Sequence, residues 1–403
     1  MTSSPSGPNT SPESAPGEIP PSRLFNRNFV LLLISGHLMF ITYYGMFVLL
    51  PEYLDDYSGT VVGLVVGTFG VTAFVSRLWL GSIADSVGRR WLLYGGFALM
   101  AVALLGYAQG PFAAGIVPVR VLHALGWVSL SISWLALATE VVPTSRRAEA
   151  IALTLFISEG ATLYAPFLVL WCADAIGAQV VFVGLSAVTA IALLVVLRLS
   201  LPGRPRGPMR FWQRPRISRP AILPLIGFLG ATATYGALSA FLVPHIEDHN
   251  LSGPQLFFTP YGLAVVGASL ITGRLTAMAG YRNLGSISLV FLALATLVIA
   301  FPVGNASLIV GGAGFGFAFA GVYTAMLTAA TRGADATDRA LAVATVQLGF
   351  DLGTALPLAL GVLTDLGGTS SAFVATAILG FLAAGIFYQG ARNAAPEPQP
   401  ALG

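Results

Sequence analysis

Gly81-Ser-Ile-Ala-Asp85-Ser-Val-Gly88-Arg89-Arg90 is a short charged stretch between two long apolar runs. Asp85, Arg89 and Arg90 fall within it, in a chain that is only 9% charged. Gly81 and Gly88 permit close approach and a tight reversal. A carboxylate in such a turn can accept backbone N–H bonds at a helix start. Two arginines beside it suit the cytoplasmic face of a membrane.

The composition points the same way. The chain has 403 residues, is 56% hydrophobic, and has a mean hydropathy of +0.81. A soluble protein carries about 25% charged residues, so the fold class expected here is an all-α integral membrane protein. A net charge of +3 makes no case for a nucleic-acid partner. All twenty basic residues are Arg, so a Walker A loop, which needs Lys, is excluded. The single cysteine, Cys172, excludes an internal disulfide and argues against a cysteine metal site. His245 and His249 are assigned to an outer loop with Glu247 and Asp248. Neither a metal nor a cofactor is expected.

A transmembrane helix needs about 20 mostly apolar residues. Twelve such runs are counted, starting near Phe29, Thr60, Trp91, Phe112, Ala150, Ala178, Ala221, Leu256, Leu284, Ala306, Leu341 and Ser371. Residues 1–22 read as a disordered tail rich in Ser, Pro and Gly, without the pattern of a signal peptide. Residues 23–200 form a first bundle of six, 201–220 an Arg/Pro-rich linker, 221–390 a second bundle of six, and 391–403 a disordered tail. Alternate connections carry only acids: Glu52, Asp55 and Asp56; Asp174; Glu247 and Asp248; Asp365. The others carry Arg89 and Arg90; Arg146 and Arg147; seven arginines from Arg198 to Arg219; Arg282; Arg332 and Arg339. The positive-inside rule makes the second set cytoplasmic and places both termini inside.

The two halves show parallel markers. Arg77 precedes Gly88, and Arg274 precedes Gly285, by the same spacing of eleven; Glu159 and Asp351 each follow an arginine by twelve and precede a proline, Pro166 or Pro357. Such doubling is expected of a transporter built from repeats.

Ionisable groups inside a membrane are costly and mark function by default. Arg120 and His123 in the fourth run and Glu159 in the fifth fall near one depth, so Glu159 is expected to pair with Arg120, with His123 in reach. Asp351, in the eleventh run, is a second candidate for proton coupling. Arg120, His123, Trp127, Ser131 and Trp134 share one helical face, which is expected to line a cavity. His37, Tyr44, Tyr235, Tyr323 and Gln347 are added as substrate contacts. Arg77 and Arg274 lie near helix ends and read as snorkelling, structural residues.

The spacing G-x-x-x-D-x-x-G-R-R resembles the signature loop between helices 2 and 3 of the major facilitator superfamily. Arg120-Val-Leu-His-Ala-Leu-Gly126 is similar to the superfamily's helix 4 motif. The resemblance implies two pseudo-symmetric six-helix bundles with substrate bound between them. It implies that Gly81, Asp85, Gly88, Arg89, Arg90 and Glu140 take part in conformational gating at the cytoplasmic ends. It also implies that Arg120 modulates proton transfer. The general look is that of the drug/proton antiporters, although Ala165 stands where their helix 5 motif carries Gly before Pro166. The expectation is a monomeric, multi-pass protein of the cytoplasmic membrane, not an enzyme, exporting a small organic molecule against protons. Proton-coupled uptake of a sugar, organic acid or other metabolite is the alternative; a non-transporting membrane sensor is the alternative of another class.

Overall fold

The computed structural model describes residues 23–110, 113–200, 216–335 and 338–393, without the side chains at positions 82, 85, 113, 114, 148, 155 and 340. The 1–22 tail, residues 201–215 of the linker, residues 394–403 and the Asp85 side chain lie outside the described residues.

Helices dominate because backbone polar groups in lipid can be satisfied only within the segment. They are α1 (Arg27–Glu52), α2 (Gly59–Val87), α3 (Arg89–Tyr107), α4 (Ala113–Glu140), α5 (Arg147–Gly160), α6 (Ala165–Ile176) and α7 (Ala178–Leu197), followed by α8 (Ile222–Asp248), α9 (Gln255–Ala300), α10 (Asn305–Arg332), α11 (Arg339–Ala355), α12 (Pro357–Gly367) and α13 (Thr369–Asn393). Among the described residues, eleven helical segments are long and apolar enough to cross a membrane. One of them, α9, has 46 residues and two helical pieces that meet at Gly280, where φ is 76°. At 1.5 Å per residue its length is about 70 Å, roughly twice a hydrocarbon core.

The surface is apolar and the interior carries the hydroxyls. Leu270, Met278, Val303 and Leu366 are among the most exposed side chains, while Thr42, Thr189, Thr232, Thr296 and Thr376 are buried. Thr42, Thr189, Thr232 and Thr296 bond a carbonyl one turn back on their own helix, which satisfies the hydroxyl without a partner helix.

The two halves repeat at a nearly constant offset. Gly88 and Gly280, both at positive φ, are 192 positions apart; Gly177 and Gly368, also at positive φ, are 191 apart. Glu159 and Asp351, Tyr43 and Tyr235, and Arg147 and Arg339 are each 192 apart. Two of the membrane segments break at matching places. Helix α5 passes through a 3-10 turn, Ala161–Leu163, into α6 with Pro166 in its first turn, and α11 gives way to α12 at Pro357. Proline fits there because first-turn N–H groups have no helical acceptor.

The offset corrects one marker. The counterpart of Gly88 is Gly280, not Gly285. Gly285 is buried in a helix, where a Cβ would come within 2.8 Å of the Phe387 ring. Arg274 therefore lies six residues before its turn glycine and Arg77 eleven, and the two are not equivalent.

Charges converge as the alternating connections require. Glu52 lies within electrostatic reach of Asp55, Asp174 and Glu247 at one end, and Glu247 within reach of Asp55. At the other end, Arg89 pairs with Glu140 and Arg146 with Glu149. His245 is not in a loop: it is buried in α8, and its ring bonds Thr369 Oγ1 and the Ile299 carbonyl, each at 2.8 Å. Both ring nitrogens are thereby engaged, which leaves none for a metal.

The halves meet where α2 lies against α11 and α12, α1 against α8, and the Ala161–Leu163 turn against α9. Gly59, Gly63, Gly67 and Gly70 form one face of α2. A Cβ on Gly63 would overlap the Pro357 carbonyl, and one on Gly67 would sit 2.7 Å from Leu358 N. Small residues allow this backbone approach. At the acidic end, Asp365 of α12 accepts from Gly59 N at 2.6 Å, Thr60 N at 2.9 Å and Thr60 Oγ1 at 2.5 Å. A carboxylate of one half thus caps a helix of the other. Replacing Gly63 by Val should weaken this face by about 1–3 kcal/mol, the usual range for overpacking. The loss is read as a lower melting temperature in detergent; an unchanged value would show that the helices are not in close contact there.

Candidate functional site

The ionisable side chains of the interior lie along the seam between the halves, but not in the expected pairs. Arg77 on α2 reaches across to Asp351 on α11. Its Nε is 2.5 Å from Oδ2 and Nη2 is 3.0 Å from Oδ1, a two-pronged ion pair. Asp351 is 1% exposed. Nη1 of Arg77 also reaches Ser131 Oγ on α4, at 3.5 Å. Arg77 is therefore not a snorkelling residue. It faces inward and ties α2, α4 and α11 together.

Glu159 does not pair with Arg120. Its Oε2 accepts from the Tyr44 hydroxyl at 3.0 Å, and no cation contacts it among the described residues. The carboxyl group lies within electrostatic reach of Tyr43, Tyr44, Tyr235, Tyr261 and Tyr323. This ring of phenols is drawn from both halves. Arg120 instead sits with its guanidinium 4.6 Å from the Phe69 ring centroid and beside Tyr107. Depth along the helix axes puts Arg120 and Glu159 at one level. It does not say that the phenols lie near the carboxyl and that α2 and α3 supply the arginine's neighbours.

The face of α4 that carries Arg120, His123, Trp127, Ser131 and Trp134 is turned inward. Arg120 and His123 line a cavity of about 30 Å³ with Tyr43, Phe47, Phe69, Ser239 and Thr354. Trp127 stacks on Tyr43 at 4.0 Å between ring centroids. Trp134 donates from Nε1 to the Leu32 carbonyl at 2.7 Å and fills the space left by Gly36. The two tryptophans brace α1 against α4, while the two basic residues face open volume.

His37 is held at both ring nitrogens. The Ile157 carbonyl, 3.0 Å from Nδ1, can only accept, so Nδ1 carries the proton and Nε2 accepts from Tyr164 Oη at 2.6 Å. Tyr235 packs against Phe47, Phe319 and Phe350 and lies near Tyr43 across the seam. Tyr323 packs on Phe228, and Gln347 is half-buried one turn before Asp351.

The residues expected at the cytoplasmic gate are seen mostly within the first half. Gly88 has a φ of 100° and forms the turn between α2 and α3. A Cβ on Gly81 would meet nothing within 4 Å. Arg89 bonds Glu140 of α4. Arg90 lies over the Trp91 and Tyr94 rings, 5.6 and 5.4 Å from their centroids.

Sequence reasoning passed over Tyr43, Tyr107 and Tyr261 and gave Arg77 the wrong role. The 192-residue offset links Tyr43 to Tyr235, which was selected. Arg77 carried a usable signal as well, since it lies inside an apolar run ten residues from its end.

These features can be set beside known proteins. The sequence profile of the Major Facilitator Superfamily matches residues 32–334 and, in a second match, 225–402. The chain belongs to the Major Facilitator Superfamily. It is similar to the inner membrane transport protein YajR of Escherichia coli (strain K12), with 28% identity over 114 residues, 27% of this chain. That match spans 25% of the relative's length. Among solved structures, the nucleoside transporter NupG matches with a TM-score of 0.72 and 14% identity, over 90% of this chain and 99% of that one. A POT family transporter in complex with a thioalcohol-conjugated peptide gives 0.77 and 14%, over 92% and 98%. A bacterial homologue of the human lysosomal transporter Spinster, in an inward-facing and occupied conformation, gives 0.73 and 16%, over 90% and 96%. At these identities the likeness is one of fold. The superfamily member described here is a multi-pass membrane protein and a secondary transporter of small substrates, not an enzyme.

The Arg77–Asp351 pair can be tested for coupling. Asp351→Asn leaves a guanidinium buried without its carboxylate and should cost about 3–5 kcal/mol. Adding Arg77→Gln should restore part of that loss, and a double-mutant cycle from thermal unfolding measures the interaction. Strict additivity of the two losses would show that the side chains do not interact.

Proposed function

We propose that the chain is a twelve-helix, proton-coupled exporter of a small organic molecule in the cytoplasmic membrane, with both termini inside. The count of twelve takes α9 as two crossings joined at Gly280, and the segregation of arginines from acids supports the orientation. On that orientation the described cross-half contacts run from the outer, acidic end to the Arg77–Asp351 pair. The conformation is then inward-facing, like that named for the Spinster homologue.

The observation that carries the coupling is Glu159. It is a carboxyl group in the seam with a tyrosine hydroxyl as its partner and no cation to hold it as the anion. Such a group can take or release a proton as the aqueous pathway switches sides. Asp351 serves the same cycle differently. Its bidentate bond to Arg77 joins the halves in this state and must break when α2 and α11 separate. Trp127, Tyr44 and Tyr235 are proposed to contact the substrate. Export is favoured over uptake by the chain's general resemblance to the drug/proton antiporters.

The test uses the purified chain in liposomes that contain a pH-sensitive dye, challenged with a panel of small organic solutes. A transported solute should drive protons in the opposite direction. Glu159→Gln should abolish that proton movement while exchange of the labelled solute across the membrane continues. Solute transport with no proton movement in the wild type would reject the coupling, and protons moving with the solute would reverse the direction to uptake.

A further inference from the structure

Arg120 and His123 are left without a role in the proton cycle, and their geometry indicates one. Arg120 is 8% exposed and His123 1%. Both line the 30 Å³ cavity, whose wall combines α1, α2 and α4 of one half with Ser239 of α8 and Thr354 of α11 from the other. Tyr107 lies beside Arg120, and its hydroxyl is 3.3 Å from His123 Nδ1. The phenol thus engages one ring nitrogen of the histidine. Arg120 Nε and His123 Nε2 have no hydrogen-bond partner among the described residues.

The charge is as unmatched as these atoms. The groups around Arg120 are the Phe69 ring, the Tyr107 hydroxyl, His123 and Tyr43. A phenyl face and a hydroxyl ease the loss of hydration but do not neutralise a guanidinium. The two carboxyl groups of the seam, Glu159 and Asp351, are engaged by Tyr44 and Arg77. A buried cation beside a cavity that could hold about two water molecules has the chemistry of an anion site. A guanidinium presents its N–H groups in a fork suited to a carboxylate or phosphate.

We propose that the Arg120–His123 pocket is an oxyanion subsite, so that the transported molecule carries a carboxylate or phosphate group. The cavity accepts that group alone, and the rest of the molecule extends toward the tyrosines around Glu159. This rests on the transporter reading and adds the substrate's charge class to it. It also explains why Arg120 is found without Glu159: its partner arrives with the cargo.

The experiment measures thermal unfolding of the purified full chain at constant ionic strength, in chloride, in acetate and in inorganic phosphate. Acetate or phosphate should raise the wild-type melting temperature with concentration, as a ligand bound only to the folded state must. The anion that does so identifies the group. Arg120→Gln should abolish the dependence and melt no lower than the wild type in chloride, because it removes an uncompensated charge. Should Arg120→Gln not fold, Arg120→Lys keeps the charge without the fork and should weaken the anion effect about tenfold. Equal anion dependence in wild type and variant, or none in either, overturns the subsite. Proton movement in liposomes is read separately. Its persistence without anion dependence refutes only this subsite, and anion binding without any transport refutes only the transporter cycle.

Discussion

A guanidinium and a carboxylate inside a membrane protein must find each other or remain costly, and the Arg77–Asp351 pair is where this constraint shapes the seam. Each group alone in a dry interior carries a large desolvation cost, so their pairing favours the meeting of α2 and α11 at that level in this state. From Gly59 to Arg77 is about 27 Å along α2 at the helical rise. Over that length glycines replace side chains, Pro357 leaves α11 and α12 as two shorter pieces, and Asp365 caps the far end of α2. The polar contacts at the two ends fix the register, and the glycine face between them lets the backbones touch.

Such an interface can also come apart. Along α2, glycine and backbone contacts give close packing without interdigitated side chains, so that part of the seam separates without a core to unlock. The cost of parting α2 from α11 and α12 then resides mostly in hydrogen bonds and in the ion pair. Both can be replaced by water or by a proton when the seam becomes wet. The Glu52–Glu247 approach at the acidic end has the same character, since two neighbouring carboxylates repel unless one of them is protonated.

Much of this was legible in the sequence. Apolar length and the alternation of acids with arginines mark helices and ends because lipid admits little else. The twelve-residue spacing from Arg147 to Glu159 and from Arg339 to Asp351 exposes the duplication, and the inward face of α4 follows from periodicity alone. The partners were not legible. Depth can be counted along one helix, but azimuth around the bundle cannot, so Arg120 and Glu159 were set at one level without meeting, although Tyr43 lies within electrostatic reach of both. Gly280 and Gly285 look alike in a sequence, and only the backbone angle separates a turn from a packing glycine. His245 was misplaced because the charges beside it suggested a loop, although α8 continues to Asp248.

The duplication also explains why two carboxyl groups at one repeat position differ. Gly70 of α2 lies against Thr354 and Ala355, and its counterpart Gly262 of α9 lies against Thr162 and Leu163, each pair 192 positions on from the other. The same offset carries Arg77 to Ser269, whose hydroxyl bonds a carbonyl of its own helix. Asp351 therefore faces a guanidinium on the adjoining helix, whereas Glu159 faces no such group and turns to Tyr44. The two equivalent positions differ: one holds a carboxylate locked across the seam, the other a carboxyl group bonded only to a phenol among the described residues. A strictly symmetric chain would hold two locks or none. The presence of arginine at position 77 and serine at 269 is what separates a carboxylate paired across the seam from one without a cation partner.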